Sequence, residues 1–133
     1  MGRGSRVSTI SQKALAGEDL EDFPPYPASM IISGDPQHKA GGNVRCSIHA
    51  GVYQSSPAKL ALEDYPSDEL MFVLSGSVTV TEKDGGSTTY YPGDAFILHK
   101  GFEGTFEMRG PFRKLAAAAA ASGEGVEWLA KQR

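Results

Sequence analysis

The sequence predicts an all-β fold, a sandwich or barrel, on three observations. From Met30 onward short apolar runs recur, each closed by turn residues, and no helical pattern separates them. Val78-Thr79-Val80-Thr81 alternates with period two, as a half-buried strand does. Two turns carry specific chemistry. Asp84-Gly85 suits a tight hairpin, whose central residues favour positive φ. Tyr91-Pro92-Gly93-Asp94 suits a type II turn, with proline fixing φ and glycine at the positive-φ position.

Taken in order, residues 1–27 are expected to form an N-terminal arm, 28–119 the β domain and 120–133 a short C-terminal tail. In the arm, residues 11–20 suit a short helix with few apolar positions. The arm is expected to be mobile or to dock on a partner subunit. Phe23-Pro24-Pro25-Tyr26-Pro27 imposes extended backbone, because each proline restricts the residue before it, and leads across the surface into the domain. Met30-Ile31-Ile32 is a brief strand ended by Ser33-Gly34-Asp35-Pro36, and Gly41-Gly42-Asn43 marks a turn. Strands are expected over 44–53 and 59–64. Residues 70–74 are continuously apolar, consistent with a strand covered on both faces and stopped at Gly76. Residues 87–91, 95–98 and 105–108 are further strands. Residues 115–121 are nearly all alanine, which favours helix by propensity alone. A strand through Arg113-Lys114-Leu115 is needed to complete the sheet, so strand is expected to about Ala117. The tail beyond is helical or irregular, and Trp128 in it is expected to anchor packing or an interface.

With 133 residues the chain suits one domain with one core. A hydrophobic content of 40% and a charged content of 22% are ordinary for a globular protein. The net charge of -3 argues against nucleic-acid and anionic-membrane partners, which select basic patches. No apolar run reaches the roughly 20 residues of a membrane span, and no secretory signal follows Arg3 and Arg6. The lone Cys46 cannot form an intramolecular disulfide, which suits the cytoplasm, and it is expected to be a buried small hydrophobe.

The span from Ser33 to Leu115 carries a series of pieces. They are Ser33-Gly34-Asp35-Pro36, Gly51-Val52-Tyr53 with Pro57, and Tyr65-Pro66-Ser67-Asp68-Glu69. They continue with Val73-Leu74-Ser75-Gly76, Pro92-Gly93-Asp94-Ala95-Phe96, 101–106 and Arg113-Lys114. In order and spacing these pieces resemble a small single-domain cupin of the DUF861-like group related to the cupin domains of ureidoglycine aminohydrolase. The resemblance implies a double-stranded β-helix, or jelly-roll barrel, often a homodimer, with a site in the barrel mouth.

The departures from the family pattern are as informative. Metal-binding cupins carry two histidines before the Glu69 position, where this chain has Leu62 and Asp64 or Glu63 and Tyr65, and a third where it has Gly104. Glu69 alone survives of the four ligands. Members of this group often lack those histidines and tend to have tryptophans where this chain has Tyr53 and Phe106. His99 replaces a usual proline.

Strand alternation puts Glu69, Met71 and Val73 on one face, and Gly104 and Phe106 on another strand's single face. By resemblance Lys114 faces the same cavity. The expected site is therefore Glu69 as base or anchor, Lys114 as its partner and Tyr65 as hydrogen-bond donor. Tyr53, Phe106 and Met71 are the walls, and Arg45 or its neighbour Cys46 reaches the cavity. Apolar walls with a few convergent polar groups suit a small ligand. Three readings stay open: a Glu-Lys pair doing acid-base or amine chemistry, a site that only binds, and an ion pair that closes the barrel and does neither. No cofactor is expected. A divalent metal would need three or four ligands, and His49, Glu69 and His99 form a non-standard set that their spacing permits without requiring. Isolated polar or surface positions are the plainer reading for His38, His49 and His99. The expected function is binding, and in one reading transformation, of a small polar metabolite with an amine, amide or carboxylate. The alternatives are a non-catalytic sensor or binding module and a structural oligomeric cupin, and whether the chain is an enzyme stays open.

Overall fold

The computed structural model describes residues 6–119. The expected tail, with Trp128, lies outside them. The described residues run through a short helix α1 (Gln12–Leu15) and nine strands: β1 (Glu21–Asp22), β2 (Ile31–Gly34), β3 (His38–Arg45), β4 (Ile48–Ser55), β5 (Ala58–Leu62), β6 (Glu69–Glu82), β7 (Ser87–Tyr90), β8 (Ala95–Leu98) and β9 (Gly104–Ala119).

The framework is the antiparallel ribbon of β6 and β9, paired from Glu69↔Ala118 to Glu82↔Gly104. Midway its register shifts around Ser75, and Gly76 (φ 72°) lies against Gly110 (φ 136°). A Cβ on Gly110 would stand 2.8 Å from the Gly76 Cα, so the two backbones meet only because neither carries a side chain. The ribbon bends here and passes from one layer to the other. One layer is β1, β3, β4, the second half of β9, the first half of β6, and β8. The other is β2, β5, the first half of β9, the second half of β6, and β7. This is a jelly-roll sandwich whose hydrogen bonding does not close into a ring. Its core fills the space between the layers with Met30, Leu60, Met71, Val73, Val78 and Phe112, all nearly inaccessible.

Several local expectations change. The strand expected to stop at Gly76 bends there and continues to Glu82. Gly41-Gly42-Asn43 is a bulge inside β3 instead of a turn, and the turn of that hairpin falls at Cys46 and Ser47. Cys46 is therefore exposed, not buried, with its Sγ 3.2 Å from the Ile48 carbonyl oxygen. The apolar run 70–74 is covered on one face only: Met71 and Val73 are buried while Leu70 and Phe72 are exposed. The alanine run is strand to Ala119, because β4 and β6 offer ladder partners on both sides and pairing overrides helix propensity.

The segment expected as a mobile or partner-bound arm lies on its own chain. Ser11 caps α1 through its Oγ, which accepts from the Ala14 N–H at 3.1 Å. Ala14 is buried over Gly42, near Val52. Arg113 donates from Nε to the Leu15 carbonyl at 2.9 Å, and β1 pairs with the β3 edge. Among the described residues no helix is long and apolar enough to cross a membrane.

Candidate functional site in the mouth of the sandwich

Directly opposed residues of an antiparallel pair share a face, so the register lays out the concave side of the first layer in rows. The innermost row is Ala40, Tyr53, Lys114 and Val73. The middle row is Gly51, Ala116, Met71 and Phe96. The row at the lip is Arg45, His49, Ala118, Glu69 and Leu98.

Glu69 and Lys114 meet as expected. The Lys114 Nζ stands 3.6 Å from Glu69 Oε2, and the two side chains are 13% and 17% exposed. This is an ion pair longer than a direct N–H···O bond. The ammonium lies 5.5 Å from the Phe106 ring centroid and 5.9 Å from that of Tyr53, with the Met71 Sδ at 3.7 Å. Tyr65 donates from its hydroxyl to the other carboxylate oxygen, Glu69 Oε1, at 3.0 Å. Burial, and then the Glu69 charge, hold the Tyr65 phenol well above its ordinary range, so it acts as a donor and not as a base. Tyr53 is raised for the same two reasons.

The arm supplies two residues that the sequence reading did not place here. Tyr26 stacks on His38 with centroids 4.4 Å apart and planes 9° from parallel, and Phe23 meets the edge of both His38 and Tyr53. His38 donates from Nδ1 to the Pro24 carbonyl at 3.3 Å, which fixes its tautomer while it is neutral. Burial and the Lys114 charge lower His38 to about 4, so it is neutral at physiological pH and not the isolated surface histidine expected. Burial raises Tyr26 above the ordinary phenol range. The signal for both was the pair of aromatics Phe23 and Tyr26 among prolines, where a purely solvated linker has no use for them.

Arg45 reaches the lip but is exposed, and pairs in register with His49. The His49 Nε2 is out of solvent contact and has no hydrogen-bond partner among the described residues. An orphaned ring nitrogen costs about 1–3 kcal/mol. His99 faces away: it is exposed beside Asp68, with Nδ1 3.4 Å from Asp68 Oδ1. The set His49, Glu69 and His99 is therefore not brought together, and among the described residues no group of three His, Cys, Asp or Glu is placed to hold a metal ion. The former ligand positions explain why. Leu62 is buried in the core, and Asp64 is exposed with φ 50°. At Gly104 a Cβ would collide with the Thr81 carbonyl oxygen and meet the Phe102 ring at 2.8 Å, so no side chain fits there. A separate cleft of about 550 Å³ opens between β6, β7, β8 and 99–103, floored by Tyr90 and Phe96, but Glu69, Lys114, Tyr65 and Tyr53 do not line it.

Comparison with known proteins agrees with this fold. The model of the EutQ-like cupin domain family matches residues 46–116. The search among curated proteins finds no match. A protein of unknown function of the DUF861 family from Pseudomonas syringae pv. tomato is 26% identical and superposes with a TM-score of 0.68 over 74% of this chain and 43% of that one. This chain thus spans less than half of that relative. A putative ethanolamine utilization protein, EutQ, from Salmonella typhimurium is 23% identical with a TM-score of 0.56, over 65% of this chain and 72% of that one. The EutQ protein of Clostridium difficile is 14% identical with a TM-score of 0.56, over 66% of each chain. The last two likenesses carry the fold alone.

Proposed function

Since the chain belongs to the EutQ-like cupin domain family, we propose that it binds a small polar metabolite in the sandwich mouth, through Glu69, Lys114 and Tyr65. The observation that carries this reading is the under-used Lys114. Its ammonium is largely buried, yet the contacts it makes are a carboxylate oxygen at 3.6 Å, a thioether at 3.7 Å and two ring faces. A buried cation with spare donors is held ready for an oxygen acceptor. Glu69 then receives a donor group of the same ligand, while Tyr65 holds the carboxylate in place. Tyr53, Phe106 and Met71 give the apolar walls that exclude water and strengthen these contacts. A thermal-shift screen of small amines, amides and carboxylates tests the reading. A compound that raises the melting temperature of the native chain and not of Glu69→Gln or Lys114→Met supports it, and a screen with no such compound defeats it. Turnover of such a compound by the native chain, lost in those variants, would make the protein an enzyme instead of a sensor. The exposed, unpaired Cys46 suits a reducing compartment, the cytoplasm being the simplest.

A second reading, an oligomeric cupin, is favoured by the outer face of the first layer. Ile48, Leu70, Phe72 and Ile97 are exposed there over the small side chains Ala117 and Ala119. We assign this face to a second copy of the chain, as a homodimer. Light scattering on the native chain and on Leu70→Lys with Ile97→Lys tests it. A native dimer that becomes a folded monomer supports the assignment, and a native monomer ends it.

A further inference from the structure

Three small residues lie along the mouth, Gly51, Ala116 and Ala118, between Tyr53 and His49 on β4 and Met71 and Glu69 on β6. The Asn43 amide covers Gly51, and its Oδ1 accepts from the Tyr53 hydroxyl at 3.5 Å. Two strand spacings of about 4.8 Å separate the backbones of His49 and Glu69, about 10 Å in all. Ala118, the residue between them, itself contributes only a methyl group to that width. On one side of the gap Glu69 presents a carboxylate. On the other the His49 Nε2 is shielded from solvent and, among the described residues, unpartnered. His49 and Arg45 are the two polar groups of the lip row that take no part in the Glu69–Lys114 pair. Arg45 stands next to His49 in register, exposed at the rim with its charge felt at the His49 ring. The face therefore holds two cations, Arg45 and Lys114, against one carboxylate, Glu69, with the phenols of Tyr53 and Tyr65 neutral. A site with that balance takes up a single negative charge more readily than a neutral or cationic guest.

We infer that His49, with Arg45, is the anion-receiving end of the mouth, and that the ligand is a small acid lying across Ala118 with a hydrogen-bond donor at its other end facing Glu69. This rests on the binding function proposed for Glu69, Lys114 and Tyr65, and adds to it a residue and a substrate class. His49 donates from Nε2–H to the acid, which satisfies the orphaned nitrogen. Arg45 adds a charge-assisted contact from the rim. The donor end, a hydroxyl or an amine, is received by Glu69.

Glycolate, acetate and acetamide serve as probes with the full chain labelled with nitrogen-15. Glycolate is expected to shift the His49 ring nitrogens in long-range proton–nitrogen spectra and to bind more tightly than acetate, which lacks the second donor, and than acetamide, which lacks the charge. His49→Phe and Arg45→Gln are each expected to weaken glycolate by about tenfold. His49→Gln, which keeps a side-chain donor, is expected to retain most of the affinity. Should His49→Phe fail to fold, the ring shifts in the native chain decide. Glycolate that depends on Glu69 and Lys114 without moving His49 overturns this inference and leaves the binding function standing. Acetamide binding as tightly as glycolate overturns the acid class. If none of the three binds, the inference falls, while the broader screen of amines, amides and carboxylates decides the binding function separately.

Discussion

Lys114 faces Glu69 across the concave layer at 3.6 Å, within ion-pair range of the carboxylate yet beyond hydrogen-bond length. Such a pair gains Coulomb energy in a partly dry site and loses hydration, so its net contribution to stability is small. Breaking it from one side is another matter, because the remaining charge stays enclosed. We expect Lys114→Met and Glu69→Leu each to lower stability by about 2–3 kcal/mol, and the double variant by clearly less than their sum. Urea denaturation of the four proteins in the cycle measures this. Strict additivity would mean that the two charges do not sense each other.

The stacked His38 gives the fold a pH dependence with a defined sign. Its folded pKa lies near 4, below the ordinary 6.5, owing to burial and then to Lys114. Between those values the unfolded chain binds the proton and the folded chain does not, so stability rises with pH across this window and is lost as pH falls from about 6.5 toward 4. The full loss is on the order of 3 kcal/mol. His49, lowered by burial and by Arg45, adds in the same direction. His38→Phe keeps an aromatic against Tyr26 and is expected to flatten the stability profile between about pH 4 and 6.5, the window its own shift defines. A profile as steep as that of the native protein would move the dependence to other groups.

Restoring a histidine at Gly104 is not expected to restore a metal centre. The Thr81 carbonyl and the Phe102 ring occupy the space that any Cβ would need, and Thr81 sits on the partner strand of the long ribbon. Gly104→His and Gly104→Ala should cost similar amounts, at least about 1–3 kcal/mol, since the collision begins at the first side-chain carbon. Elemental analysis of any soluble Gly104→His protein is expected to find no more zinc or manganese than in the native chain. Stoichiometric metal in the variant would show that the ribbon yields.

What the sequence made legible follows from how local each signal is. Period two along β6 placed Glu69, Met71 and Val73 on one face, and the family resemblance put Lys114 in the same cavity, where the register pairs it with Val73. Tyr65, four residues before Glu69, needed only a turn to reach it. Tyr26 and His38 were not legible, because their stack depends on β1 pairing with the β3 edge and on the Pro24 carbonyl, neither of which has a local pattern. Leu70 and Phe72 misled for a different reason. A continuous apolar run looks the same whether its second face is covered by its own chain or left open, as it is here. Gly76 misled because a glycine that ends a strand and one that bends it are the same letter.

That bend can be tested directly. At Gly76 a Cβ would collide with the carbonyl oxygens of Arg109 and Pro111 and stand 3.0 Å from the Phe112 Cα, in backbone already at φ 72°. Gly76→Ala therefore meets a backbone obstacle and a left-handed strain together, with no flexible side chain able to give way. Gly85 is the control: its φ is 99°, and nothing lies within 4 Å of an added Cβ. Gly85→Ala bears the strain alone and should cost about 1–2 kcal/mol. Gly76→Ala should cost clearly more and should loosen both layers, because the ribbon that joins them is forced open. Hydrogen exchange distinguishes the two: loss of protection at Val73 and Phe112 as well as beside the substitution is expected for Gly76→Ala, and only fraying of the 83–86 turn for Gly85→Ala. Equal destabilisation by the two variants would remove the close approach of Gly76 and Gly110 as the hinge of the sandwich.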